Sequence, residues 1–150
     1  MIDHQYDSVV HWTGEKKGQL GAVGLAPLEM ATPPEFGGHP GLWSPEHLFV
    51  AAANACLLST FLALAERARL RVAGYRAEAH GRLTQTEDGR GLAITEIEIS
   101  PVVGVYSAED EERARDLCLK AEKHCLISHS MTSVIHVTPR VEVIRAALAL

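Results

Sequence analysis

The chain has 150 residues, 47% of them apolar, and a formal net charge of −5. That is enough length for a single domain, read as residues 1–150, with a real buried core. The acidic balance without a basic run argues against general nucleic-acid binding, and ordinary apolar and charged fractions argue against a disordered chain.

In chain order, residues 5–12 alternate loosely and end in Val9-Val10-His11-Trp12, a strand signal. Thr13 to Gly18 reads as a polar turn, and Gln19 to Leu28 as the returning strand with Leu20, Ala22 and Val23 as its apolar content. Glu29 to Trp43 carries Pro33-Pro34, Gly37-Gly38, Pro40 and Gly41. This composition disfavours regular structure, apart from a short strand end at Glu35-Phe36. A loop of this length in a compact domain is usually functional or covers a site.

A helix follows. Ser44 is placed to cap it, Pro45 suits its first position, and Glu46 suits the positive end of its dipole. From Leu48 to Ala65 the run is apolar on every face, broken only by Asn54, Ser59 and Thr60. A helix apolar all round is enclosed by protein or by lipid. The run is barely long enough for a membrane span and has no companion, so a buried core helix is expected and no membrane partner. Cys56 sits at its centre.

Val72 to Leu83 reads as a strand, Thr86 to Gly91 as a hairpin turn, and Leu92 to Val103 as the answering strand. Ser107 opens a second helix with a capping-box pattern. Its apolar stripe runs through Ala114, Leu117, Cys118, Ala121 and Cys125. Val134 to Ile144 alternates as a last strand, and Ala146 to Leu150 is expected to fray. The sum is an α+β fold with mostly antiparallel sheets packed around a buried central helix.

Two observations bear on chemistry and compartment. The N-terminus, Met1 to Asp7, lacks the basic-then-apolar order of a secretory signal. The three cysteines are widely spaced and odd in number, unlike a secreted disulfide framework. A cytoplasmic protein is expected, in which each thiol serves packing or reaction. Cys118 extends a core stripe and reads as filler. Cys56 is either filler or a thiol kept from water for a reason. Cys125 ends its helix beside His124, Ser128 and His129. Cys118 and Cys125 stand seven positions apart, about 10 Å of helix rise and too far for a disulfide. The eight histidines show no metal-ligand spacing, and neither a metal nor another cofactor is expected.

Ser44-Pro45-Glu46-His47-Leu48-Phe49 followed by Ala51-Ala52-Ala53-Asn54-Ala55-Cys56, with Lys123-His124-Cys125-Leu126-Ile127-Ser128 near the end of the next long helix, resembles the osmotically inducible protein C (OsmC) family. That family includes the organic hydroperoxide resistance proteins. The resemblance runs from His11 to the final strand. It implies an intertwined homodimer and thiol-dependent reduction of organic hydroperoxides in an oxidative stress response, with a dithiol as reductant. By position, Cys56 is implied as the peroxide-attacking thiol, Cys125 as the resolving thiol and Glu46 as an assisting carboxylate. The family's arginine does not carry over. The matching turn is Glu15-Lys16-Lys17-Gly18, where Lys17 is the nearest match, or Lys16 if the turn shifts by one residue.

Such chemistry makes demands on these residues. A mid-helix thiol in apolar surroundings should have a raised pKa unless a cation reaches it, which assigns that task to Lys17 or Lys16, with Arg67 as a fallback. Cys125, at a helix C-terminus, faces the negative end of the dipole. Glu46 precedes Cys56 by ten positions, about 15 Å on a straight helix. Unless the helix breaks, the glutamate meeting Cys56 belongs to another chain. A non-catalytic OsmC-like protein binding a small apolar or thiol ligand is the alternative.

Overall fold

The computed structural model describes residues 1–144, so the expectation for Ala146 to Leu150 lies outside the described residues. The chain divides into two compact units, the first Met1–Phe49 and the second starting at Val50.

In the first unit, β1 (Val9–Gly14), β2 (Lys17–Gly21) and β3 (Leu28–Ala31) form an antiparallel sheet in that order. Val9 stands opposite Gly21, and Lys17 opposite Ala31. The expectation of one strand from Gln19 to Leu28 is corrected. The strand stops at Gly21, and Gly24 at φ 77° reverses the chain in a left-handed conformation open to glycine. Val23, expected to be strand content, is fully exposed in that turn. The Pro/Gly stretch is also more ordered than its composition indicates. β3 takes its start, and Pro34–Phe36 is a 3₁₀ turn rather than a strand end. Backbone bonds tie the loop down: Ala31 N–H donates to the Trp43 carbonyl at 2.8 Å and Thr32 N–H to the Lys16 carbonyl at 2.9 Å.

α1 (Pro45–Arg67) starts as expected. Ser44 Oγ accepts the His47 N–H at 3.2 Å, and Pro45 occupies the first turn, where its missing donor costs nothing. Four residues at steps of four, Ala53, Leu57, Phe61 and Ala65, are buried. They share one apolar core with Ile97, Ile99, Val103 and Val105 and with Ala114, Cys118 and Ala121. By length and composition α1 is long and apolar enough to cross a membrane. Here it is the core helix of the second unit, and Asn54 Nδ2 donates to the Ala77 carbonyl at 3.2 Å. Enclosure on all sides does not hold within one chain: Phe49 and Leu62 are 38% and 44% exposed.

β4 (Val72–Gln85) and β5 (Leu92–Val105) form a long antiparallel hairpin. Gly81 lets α1 approach the sheet, because a Cβ there would collide with Val50. A 3₁₀ turn capped by Ser107 leads into α2 (Glu111–His124), followed by the short α3 (Leu126–His129). The last strand is also corrected. It divides into β6 (Val134–Val137) and β7 (Arg140–Val143), both parallel to β5 rather than antiparallel. Pro139 has no N–H for a ladder, which accounts for the break. The architecture is α+β, with antiparallel pairing in β1–β2–β3 and β4–β5.

Candidate active site

α1 presents a second stripe beside its buried one. Cys56, Thr60 and Arg67 lie on it, at spacings that return to one helix face. α2 brings Lys120 and His124, one turn apart, to the same cleft, and Leu126 of α3 completes it. The cleft measures about 520 Å³ and Cys56 opens into it.

The second stretch of the site is made where α2 ends. Cys125 leaves helical geometry, with φ −71° and ψ 109°, and the chain restarts as α3. The first N–H groups of a helix have no partner within it. Those of Leu126 and Ile127 act on the Cys56 thiol as donors that lower its pKa. Burial pushes the Cys56 thiol up, but it is outweighed. The Cys125 thiol, the Ile127 N–H, the Thr60 hydroxyl and the Leu126 N–H together hold Cys56 below the ordinary cysteine range. Thr60 Oγ1 lies 3.9 Å from Cys56 Sγ. For Cys125 the balance runs the other way. Burial raises its pKa first, and the hydrogen bond and charge of Cys56 add to this against the lowering effect of Ser128. All three cysteines are free thiols.

Cys56 and Cys125 are thus brought together, one half-buried and the other fully buried. Cys118 is apart from them in its surroundings. It is fully buried among core side chains, and burial pushes its thiol up to about 11. The expectation that only a cation could favour the Cys56 thiolate is revised, since uncharged donors do so here. Cys125 is disfavoured as expected, although by burial and Cys56 rather than by a helix dipole.

The remaining expected site residues belong to the first unit. Lys17 Nζ is 3.0 Å from Glu15 Oε2, and His39 Nε2 is 3.1 Å from the same oxygen. The hydrogen bond and charge of Lys17, with the charge of His39, hold the Glu15 carboxyl below its ordinary range. Lys16 Nζ donates to the Phe36 carbonyl at 2.9 Å. Glu46 Oε2 is buried with no hydrogen-bond partner among the described residues. Among those residues there is also no group of three or more His, Cys, Asp or Glu side chains arranged to hold a metal ion.

Sequence reasoning missed Thr60, Lys120 and the two α3 amides as neighbours of Cys56, and gave Arg67 only a fallback role. Thr60 and Arg67 were accessible from helical spacing, four and eleven positions beyond Cys56. The amides were not, because they depend on the chain restarting as α3 directly after Cys125, which no side-chain pattern marks.

Known proteins share this fold. A solved OsmC-like protein of unknown function from Vibrio cholerae superposes with a TM-score of 0.82 at 19% identity, covering 95% of this chain and 100% of its own. An organic hydroperoxide resistance protein from Elizabethkingia anophelis superposes with a TM-score of 0.69 at 25% identity, covering 95% and 100%. The Bacillus subtilis protein YmaD, itself uncharacterised, is 26% identical over 136 residues, 87% of this chain and 89% of its own. Residues 38–140 match the family described as OsmC-like protein, a span that holds α1, Cys56 and Cys125, and the chain belongs to that family.

Proposed function

We propose that the protein is a thiol-dependent peroxidase that reduces organic hydroperoxides through Cys56 and Cys125. The observation that carries this reading is the Cys56 thiol, held below the ordinary cysteine range by Cys125 and the α3 amides at an open cleft. The Cys56 thiolate attacks the distal oxygen of the hydroperoxide. The O–O bond breaks, the leaving alkoxide takes a proton to become an alcohol, and Cys56 becomes a sulfenic acid. Cys125 then attacks the Cys56 sulfur, water leaves, and a Cys56–Cys125 disulfide forms. An external dithiol supplies two electrons and two protons to restore both thiols.

The donor arrangement fits both half-reactions. Cys125 keeps its proton until Cys56 is oxidised, so it supports the attacking thiolate first and resolves it afterwards. Glu46 is proposed as the assisting carboxylate and Lys17, or Lys16 in the neighbouring register, as the assisting cation. Glu46 and Cys56 are ten positions apart on an unbroken α1, about 15 Å of rise. The unpartnered Glu46 oxygen supports a second copy of the chain completing the site. Exposed Phe49 and Leu62 on α1 likewise support a homodimer. The reading is of one OsmC-like domain over residues 1–150, acting in the cytoplasm, where a reducing pool is available to recycle the disulfide.

The test is consumption of cumene hydroperoxide by reduced protein with a small dithiol as recycling agent. Turnover that leaves a Cys56–Cys125 disulfide when the dithiol is withheld is expected. No turnover, with retained binding of an apolar dye, would instead mark a non-catalytic ligand-binding member of the family.

A further inference from the structure

The first unit gathers an acid and two bases at one point. A single carboxylate oxygen, Glu15 Oε2, accepts from the Lys17 ammonium at 3.0 Å and from His39 Nε2 at 3.1 Å. Glu15 lies in the turn between β1 and β2 at φ 51°, a left-handed backbone that glycine and asparagine adopt more easily. Its carbonyl is pinned there by the Trp12 indole, whose Nε1–H donates to it at 2.8 Å. The loop that supplies His39 is tied to the same turn. Lys16 Nζ donates to the Phe36 carbonyl at 2.9 Å, Thr32 N–H to the Lys16 carbonyl at 2.9 Å and His39 N–H to the Thr32 carbonyl at 2.9 Å. The Lys17–Glu15 pair is exposed, 39% and 66% at the two side chains, so it contributes little to stability. A carboxylate kept on a strained and anchored turn, shared by two bases and of little use to the fold, points to function.

We propose that Glu15 is a positioning residue that holds the Lys17 ammonium in reserve, and that His39 is the partner that lets Lys17 leave. This rests on the reading of Lys17 as the cation assisting Cys56, and it names what controls that cation. An ammonium paired with a carboxylate presents little net charge to a third group, so Lys17 serves a thiolate fully only after it leaves Glu15. On departure, Glu15 keeps the His39 N–H on the same oxygen, so the exchange leaves no carboxylate without a partner. The hydrogen bond and charge of Lys17, with the charge of His39, keep the Glu15 carboxyl below its ordinary range, so it stays ionised for either partner. An exposed pair biases such an exchange by up to about fivefold. That is enough to set a rate, and little enough for a better partner to reverse.

The test reads the Cys56 thiolate by iodoacetamide alkylation across pH, which needs no peroxide turnover. The reagent is uncharged, so Lys17 influences the rate through the thiol. Glu15→Gln keeps the shape of the side chain and removes its charge. It should raise Cys56 alkylation at neutral pH about two- to fivefold and move the midpoint down by about 0.3–0.7 pH unit. Glu15→Asn, which suits the left-handed backbone, is a second variant without the charge and should act in the same direction. His39→Ala should move the midpoint the opposite way, because Glu15 then has Lys17 alone. In a Lys17→Ala background these shifts should vanish, which a merely structural role of the turn would not produce. Circular dichroism checks the fold of each variant. Where Lys17→Ala itself raises the midpoint, a Glu15→Gln midpoint that stays put or rises, or a shift that persists without Lys17, overturns the proposal and leaves Lys17 in its assisting role. A midpoint that Lys17→Ala does not move overturns both the proposal and that role. The expected shifts in a protein without peroxide turnover would keep the Glu15–Lys17 device and remove the peroxidase reading.

Discussion

Cys118 and Cys56 are both cysteines on apolar helix faces of the second unit, and they behave oppositely. Cys118 is enclosed by core side chains, and burial alone sets its thiol at about 11. Burial acts on Cys56 in the same direction, yet the net result is a lowered pKa. The difference is a short stretch of backbone. Where α2 ends, Cys125 turns the chain, and the Leu126 and Ile127 amides, with the Cys125 thiol and the Thr60 hydroxyl, lower the pKa of Cys56. Apolar surroundings silence a thiol; a few hydrogen-bond donors reverse that.

The largest effect that tests this contrast is loss of activity. Cys56→Ser should reduce peroxide consumption to background, whereas Cys118→Ser should retain it. The second substitution should still lower stability by about 1–2 kcal/mol in a denaturant titration, since it buries a hydroxyl in an apolar core. Loss of turnover in a folded Cys118→Ser protein would break the contrast outright.

A second effect concerns resolution. One equivalent of organic hydroperoxide should produce a Cys56–Cys125 disulfide by peptide mass spectrometry, with Cys118 unmodified. Cys125→Ser should accumulate a sulfenic acid on Cys56 that dimedone captures. A link through Cys118 would place the reacting pair elsewhere.

The smallest effect belongs to the turn of the first unit. Lys17→Ala should slow Cys56 oxidation a few-fold and shift its pH profile upward, Lys17→Arg should speed it, and Lys16→Ala serves as the register control. The Lys17–Glu15 pair is a surface pair, of the kind readily given up for another partner. A profile unmoved by either alanine substitution would leave Cys56 to its uncharged donors and remove both lysines from the site.

The elements legible in the sequence are those whose physics is local. Ser44-Pro45 marks the start of α1 through capping and a missing donor. Alternation marks β4 and β5, and the turn at Thr86 to Gly91 joins them. What escapes depends on tertiary context. Val23 resembles strand content because apolar residues read alike in strands and turns, and Gly24 decides the matter through its left-handed backbone. The parallel pairing of β6 and β7 with β5 leaves no mark on the alternation of either strand. At the site, the resemblance carries Cys56 and Cys125, and helical spacing carries Thr60 and Arg67. The donors at Leu126 and Ile127 are backbone groups, which no side-chain pattern can reveal.

The most direct test of thiol activation by uncharged donors is the pH dependence of Cys56 alkylation by iodoacetamide, followed peptide by peptide. Only the thiolate reacts, so the rate falls as pH drops through the pKa of the folded protein. The Cys56 midpoint should lie below that of an ordinary cysteine, while Cys118 stays unreactive until the pH approaches about 11. Removing the Cys125 donor by Cys125→Ala should move the Cys56 midpoint upward, and a midpoint one pH unit higher leaves about tenfold less thiolate at neutral pH. A Cys56 midpoint at or above the ordinary value, or one that Cys125→Ala does not move, would contradict activation by these donors.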